Sequence, residues 1–210
     1  MVHYILHYFD CYGRAEPVRM MFMLSDVEYT DQRFAFKDWP LIKNAHPFIF
    51  GQSPVLEVDG KLLAQSNAIN RYVANKYGFA GKDDWEKAIV DSLADLHHDY
   101  FTKVRPFYGV ACKYWDGNFD ELLKTNFLPE RDIFMGIMSR FIEENETKSG
   151  WLVGDSLTFA DLLLFNHVLI FKNWVPDLVD QFPKIRQHRD KLKNHPKMAD
   201  YLSKRPHSIQ

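Results

Sequence analysis

The hydrophobic period changes once along the chain, near residue 80. That change constrains the fold more than any other feature. Before it, short runs of strand and helix period take turns; after it, the apolar runs carry the helical period. Tyr4, Leu6 and Tyr8 alternate with Ile5 and His7, which predicts a strand. Gly13 breaks the chain, and Pro17 follows just inside a helical run, where its missing N–H is tolerated. Val18, Met21, Phe22 and Ser25 lie at helical spacing. Residues 27–33 predict a second strand and 38–44 a short helix. Residues 53–58 and 61–64 flank Asp59-Gly60, a pair that favours a two-residue hairpin. Ile69, Tyr72, Val73 and Tyr77 then mark an amphipathic helix ending near Gly78. The order is βαβ, a helix, then ββα, and one sheet flanked by helices accounts for it.

The remainder predicts helices throughout. Residues 79–84 read as a linker. Residues 85–115 and 118–145 are long helical candidates, in which Pro106 and Pro129 each mark a kink or a boundary. Thr158-Phe159-Ala160-Asp161 matches a capping box with Asp in place of Glu. The run that follows is apolar nearly all round, so it belongs in a core. Residues 175–180, 184–194 and 197–204 predict shorter helices. Two domains are expected, 1–80 and 84–210.

Composition narrows the function. A chain of 210 residues buries enough surface to need no metal or disulfide staple. Its 26 basic and 28 acidic residues leave a net charge of −2, which gives no electrostatic footprint for nucleic acid. Two cysteines cannot build a disulfide framework or a four-thiolate zinc site, and a reducing cytoplasmic location is expected. The first residues lack a signal-peptide pattern, and the apolar window 162–171 is too short for a membrane span.

Five segments, in this order, resemble the glutathione S-transferases: YFDCYGRAEPVR at 8–19, DWPLIK at 38–43, GQSPVLEVDGKLLAQS at 51–66, VDSLADLHHDYF at 90–101 and GDSLTFADLLL at 154–164. The similarity spans essentially the whole chain and is greatest to the sigma-like class and its nu subgroup. It implies an N-terminal thioredoxin-like α/β domain followed by an all-α domain, in a homodimer. It also implies glutathione as co-substrate and no metal.

The family activates the thiol of glutathione, whose ordinary pKa of about 8.5 leaves little thiolate at neutral pH. By resemblance, Tyr8 donates a hydrogen bond to the thiolate and Arg14 adds positive potential. Trp39 and Lys43, four residues apart on one helical face, correspond to groups that hold the glycyl carboxylate. Gly51 and Gln52 match the glutathione-binding loop, Gln52 standing toward the glycyl end, and Ser53-Pro54 matches the cis-proline turn whose Ser53 backbone faces the cysteinyl portion. Gln65 and Ser66 open a helix whose N-terminus suits the γ-glutamyl carboxylate. Asp99 matches an aspartate that reaches the ligand's amino group from the other subunit. The chain departs from some relatives in having Gln52 for a lysine, His98-Asp99 for an aspartate pair, and a loop two residues longer around Phe48-Ile49-Phe50.

Cys11, three residues after Tyr8 and near a helix start, would serve a mixed-disulfide mechanism, but Tyr8 matches the family better. The resemblance implies conjugation of glutathione to hydrophobic electrophiles, with Tyr100, Phe107 and Tyr108 as candidate walls of the second-substrate site. A prostaglandin D synthase-type isomerase, or a carrier of haem or other lipophiles, are the alternatives.

Overall fold

The computed structural model describes residues 2–206 and 208. The chain separates into two compact units, with the division after Phe79 and a return to the first unit at His195.

The first unit is built on strands β1 (Tyr4–Phe9), β2 (Thr30–Phe34), β3 (Val55–Val58) and β4 (Lys61–Ala64). Its helices are α1 (Glu16–Leu24), α2 (Trp39–Ile42) and α3 (Ser66–Tyr77). The strand order is β2-β1-β3-β4, with β1 parallel to β2 and antiparallel to β3. The alternation read in β1 is real: Tyr4, Leu6 and Tyr8 are buried and the residues between them only half so. The β3–β4 hairpin turns at Asp59-Gly60 with positive φ at both residues, 48° and 81°, as a tight hairpin demands. Gly78 closes α3 in the left-handed conformation, φ 83°. The second strand starts three residues later than expected. Within 38–44 only a single helical turn forms, preceded by a 3₁₀ turn at Phe36–Asp38.

The second unit holds α4 (Asp84–Ala111), α5 (Phe119–Leu122), α6 (Leu128–Glu144), α7 (Phe159–Phe171) and α8 (Pro183–Lys193). Asp83 caps α4 by accepting from the Glu86 N–H. Pro106 lies inside α4 and does not end it. A π turn at Leu123–Phe127 joins α5 to α6 and sets Pro129 in the first turn of α6, where its missing N–H is harmless. Asp161, in the first turn of α7, accepts from the N–H and the hydroxyl of Thr158, at 2.8 and 2.7 Å. It also accepts from the Leu152 N–H, and the His188 ring lies 2.9 Å away. Twelve of the thirteen residues of α7 are buried, so it is the core helix the sequence implied. Residues 175–180 form successive turns rather than the expected helix.

The last helix, α9 (Pro196–Lys204), groups with the first unit, not with the helical domain expected to run to 210. Its ties are polar. Lys197 reaches Asp26 at 2.5 Å and the Leu24 carbonyl at 3.1 Å. The Tyr201 hydroxyl donates to Glu16 at 2.8 Å and Arg205 to the same carboxylate at 2.7 Å. Helical periodicity cannot report such partners, which is why the boundary was not legible.

Candidate active site

Register alone gathers the expected site residues. Val55 opens β3 opposite His7 near the end of β1, and Ala64 ends β4 opposite Val55. Phe34 ends β2 opposite Phe9. One end of the sheet therefore carries Tyr8, the segment leading to Trp39 and Lys43, the loop 51–54, and the pair Gln65-Ser66.

Tyr8 is buried at 6% exposure, and its hydroxyl oxygen accepts the backbone N–H of Arg14 at 3.0 Å. Burial, and next the adjacent Cys11, hold its phenol far above the ordinary value of 10; the Arg14 N–H and the Arg14 and Arg19 charges only offset this. At neutral pH the phenol keeps its proton and is a donor. Accepting the Arg14 N–H engages one lone pair of the oxygen and does not use the phenol proton. Gly13 makes the approach possible. It sits at φ 44°, and a Cβ there would fall 2.5 Å from the Tyr8 oxygen. The Arg14 side chain is exposed.

Trp39 belongs to an aromatic cluster. It stacks on Phe34 at 5.6 Å and meets Phe48 and Phe9 edge-on at 4.9 and 5.2 Å. The Lys43 N–H donates to the Trp39 carbonyl at 3.0 Å, so the two residues stand one turn apart, with Lys43 exposed. Gly51, at φ 60°, lies against this turn, its Cβ position 3.6 Å from the Lys43 carbonyl. In the longer loop, Phe48 is buried in the cluster while Ile49 and Phe50 are 51% and 61% exposed. His46–Pro47 is a cis bond that the sequence reading did not anticipate.

Ser53–Pro54 is cis, as the resemblance implied, and the Ser53 hydroxyl donates to the His7 carbonyl at 3.3 Å. Gln65 occupies the position before α3 at φ 74°, a conformation costly for a side chain that bears a Cβ. Its amide donates to the Gln52 side chain at 2.7 Å. Ser66 is thus the first residue of α3 and not its cap, and no side chain caps that helix end. Gln52 and Gln65 are coupled directly, a pairing that strand and helix periods do not reveal.

Other expectations fare differently. Asp99 is exposed on α4, in the second unit. Cys11 is buried and burial lifts its thiol to about 12, so it is no thiolate at neutral pH. Tyr100 and Phe107, expected as pocket walls, are core residues at 4% and 0% exposure. Tyr100 stacks on Phe134 at 4.2 Å; Tyr108 alone of the three is half-exposed. Among the described residues no three His, Cys, Asp or Glu side chains gather as a metal site, and no helix is long and apolar enough to cross a membrane.

Residues 5–75 match the model of the glutathione S-transferase N-terminal domain, and 107–205 that of a glutathione S-transferase C-terminal domain. Probable glutathione S-transferase 7 of Caenorhabditis elegans is 40% identical over 206 residues, 98% of each chain. The crystal structure of Na-GST-3 from the hookworm Necator americanus, described as monomeric, is 46% identical with a TM-score of 0.93, over 99% of this chain and 100% of that one. A Nu-class structure from Haemonchus contortus is 44% identical with a TM-score of 0.88, covering both chains fully. The strand-end cluster around Tyr8 and the matches along both units agree: the chain belongs to the glutathione S-transferase family.

Proposed function

We propose that the protein conjugates reduced glutathione to hydrophobic electrophiles, as a cytoplasmic detoxification enzyme acting as a homodimer. The observation that carries this reading is the Tyr8 hydroxyl, kept protonated by burial and accepting the Arg14 N–H at 3.0 Å. Its proton stabilises the glutathione thiolate, which attacks carbon; the S–C bond forms as the leaving group departs with its electron pair. The Arg14 side chain adds positive potential. Trp39 and Lys43 hold the glycyl carboxylate, beside Gly51 and Gln52. The Ser53 backbone at the cis Pro54 faces the cysteinyl unit. The uncapped start of α3, at Gln65 and Ser66, takes the γ-glutamyl carboxylate, where a helix N-terminus favours an anion. Asp99 of a second subunit takes the amino group. Two unpaired cysteines suit a reducing compartment. A carrier of haem or other lipophiles is the alternative reading.

Tyr8→Phe is the decisive variant. A hydrogen bond to a charged group is worth about 1.5–3 kcal/mol, roughly 10–150-fold in rate. Turnover of an aryl halide with glutathione should fall by that much while glutathione affinity changes little. Unchanged turnover and an unchanged thiol pKa in the complex would remove Tyr8 from the mechanism. Haem affinity measured in the same preparation separates a carrier, which binds without turnover, from the enzyme.

A further inference from the structure

The turn between Tyr8 and α1 is held from two sides, and one of them is the end of the chain. From within, the buried Arg19 guanidinium donates to the carbonyls of Cys11 and Tyr12 at 2.7 and 3.3 Å. From outside, the Tyr12 hydroxyl is used twice by the C-terminal segment. It donates to the Pro206 carbonyl at 2.7 Å and accepts the Ser208 N–H at 3.0 Å. The Arg205 guanidinium lies over the Tyr12 ring, 3.7 Å from its centre, and reaches Glu16 at 2.7 Å. Glu16 is fully buried and also pairs with Arg19 at 3.2 Å. Tyr12 therefore joins two ends of the sequence nearly two hundred residues apart.

Tyr12 is followed directly by Gly13, whose positive φ lets the Arg14 N–H meet the Tyr8 oxygen. Displacing the turn by a fraction of an ångström would lengthen that bond, and the turn can lie this close to the Tyr8 ring only because residue 13 has no side chain. We propose that Tyr12, gripped by the C-terminal segment, is a positioning residue for the Tyr8 hydroxyl: the tail fixes the turn that aims the Arg14 N–H. This rests on the role given to Tyr8 above. The tail then acts on the chemistry through Tyr12 without touching the reacting atoms.

Three variants test it: Tyr12→Phe, which keeps the ring under Arg205; a chain ending at Lys204; and Tyr77→Phe as a matched control. Tyr77 also loses a hydroxyl bond in the same unit, to Tyr4 at 2.9 Å. The readouts are the apparent pKa of the bound glutathione thiol, by thiolate absorbance, and kcat against KM. Tyr12→Phe and the truncation should each raise the thiol pKa by about half a unit and lower kcat roughly three- to ten-fold, the scale of one neutral hydrogen bond. KM for glutathione should stay within about two-fold. Tyr77→Phe should lower the melting temperature and leave the thiol pKa in place. In a Tyr8→Phe background, Tyr12→Phe should shift the thiol pKa no further, since both act through one hydroxyl. An unmoved thiol pKa in Tyr12→Phe, an equal shift in Tyr77→Phe, or additive shifts in the double variant would overturn the proposal. If Tyr8→Phe alters the thiol and Tyr12→Phe does not, only the positioning role fails. If Tyr8→Phe alters nothing, the reading of Tyr8 fails and this one with it.

Discussion

The backbone N–H of Arg14 donates to the hydroxyl oxygen of Tyr8 across 3.0 Å. A phenol has one proton to give. Accepting the Arg14 N–H leaves that proton unused and polarises the O–H so that it donates more strongly.

Gly13→Ala is the substitution this geometry forbids. The left-handed φ of 44° costs a residue with a Cβ about 1–2 kcal/mol. The new methyl would also sit 2.5 Å from the Tyr8 oxygen, so either the ring or the turn must move. A melting temperature lower by roughly 2–8 °C is expected for a chain of this size. Turnover with glutathione should fall at least about ten-fold, because the Arg14 donor is displaced. Thermal unfolding and steady-state kinetics check both; wild-type turnover would mean the Arg14 contact does nothing for Tyr8.

Lys43→Ala should raise KM for glutathione roughly two- to five-fold, the scale of an exposed ion pair, while sparing kcat. Trp39→Phe should do the same, and Lys43 stands one turn from it. Glutathione ethyl ester, blocked at the glycyl carboxylate, should bind wild type worse than glutathione does, yet bind Lys43→Ala about as well. An equal loss for the ester in both proteins would show that Lys43 is only a surface residue.

These residues were legible to different degrees. Period places Tyr8 at a strand end and Gln65-Ser66 at a helix start, but their roles, like that of Trp39, come only from the five segments taken together in order, since each motif is weak alone. The Gln52–Gln65 bond was not legible, since it joins two loops whose meeting depends on the β3–β4 register. Gly13 was read as a chain break. Its real constraint is a contact with a side chain five residues earlier, which no local pattern encodes. The grip on Tyr12 was hidden for the same reason: α9 has an ordinary amphipathic pattern, and its partners Glu16 and Asp26 are far away in sequence. Tyr100 and Phe107 misled because an aromatic on a long helix looks alike facing a pocket or a core.

Acid should destabilise the helical unit through His167. Its ring is 2% exposed, stacked on Phe171 at 4.3 Å, with Nε2 3.3 Å from the Tyr100 hydroxyl and His97 5.7 Å away. Burial, then the neighbouring His97, hold its pKa well below 6.5. The unfolded chain therefore binds a proton near pH 6.5 that the folded chain refuses. The stability it secures is complete above that pH and is lost as pH falls below it, by up to about 1.4 kcal/mol per unit. His7, lowered by burial against a smaller opposing effect of Glu57, acts in the same direction. Between pH 7.5 and 5, His167→Gln should therefore lose roughly 2 kcal/mol less stability than wild type. Urea unfolding at both pH values measures this; parallel losses would show that His167 does not carry the acid response.

The last prediction concerns whether one subunit completes another's site. Asp99 is exposed on α4, and by family resemblance it serves the glutathione bound to a partner. A relative described as monomeric makes the question a real one for this chain. Suppose the site is shared. A subunit with Asp99→Ala keeps its own Tyr8, and a partner with Tyr8→Phe keeps its own Asp99. Pairing them rebuilds one intact site from Tyr8 of the first and Asp99 of the second. If Asp99 served its own chain, neither site in the mixed dimer would be whole. The two variants can be co-expressed with different tags and the mixed dimer purified. Each parental dimer should be impaired, Asp99→Ala mainly in glutathione affinity. The mixed dimer should recover about half of wild-type activity, because one of its two sites is intact, with wild-type glutathione affinity at that site. Activity no better than the mean of the parents would reject sharing, and so would a chain that stays monomeric while fully active.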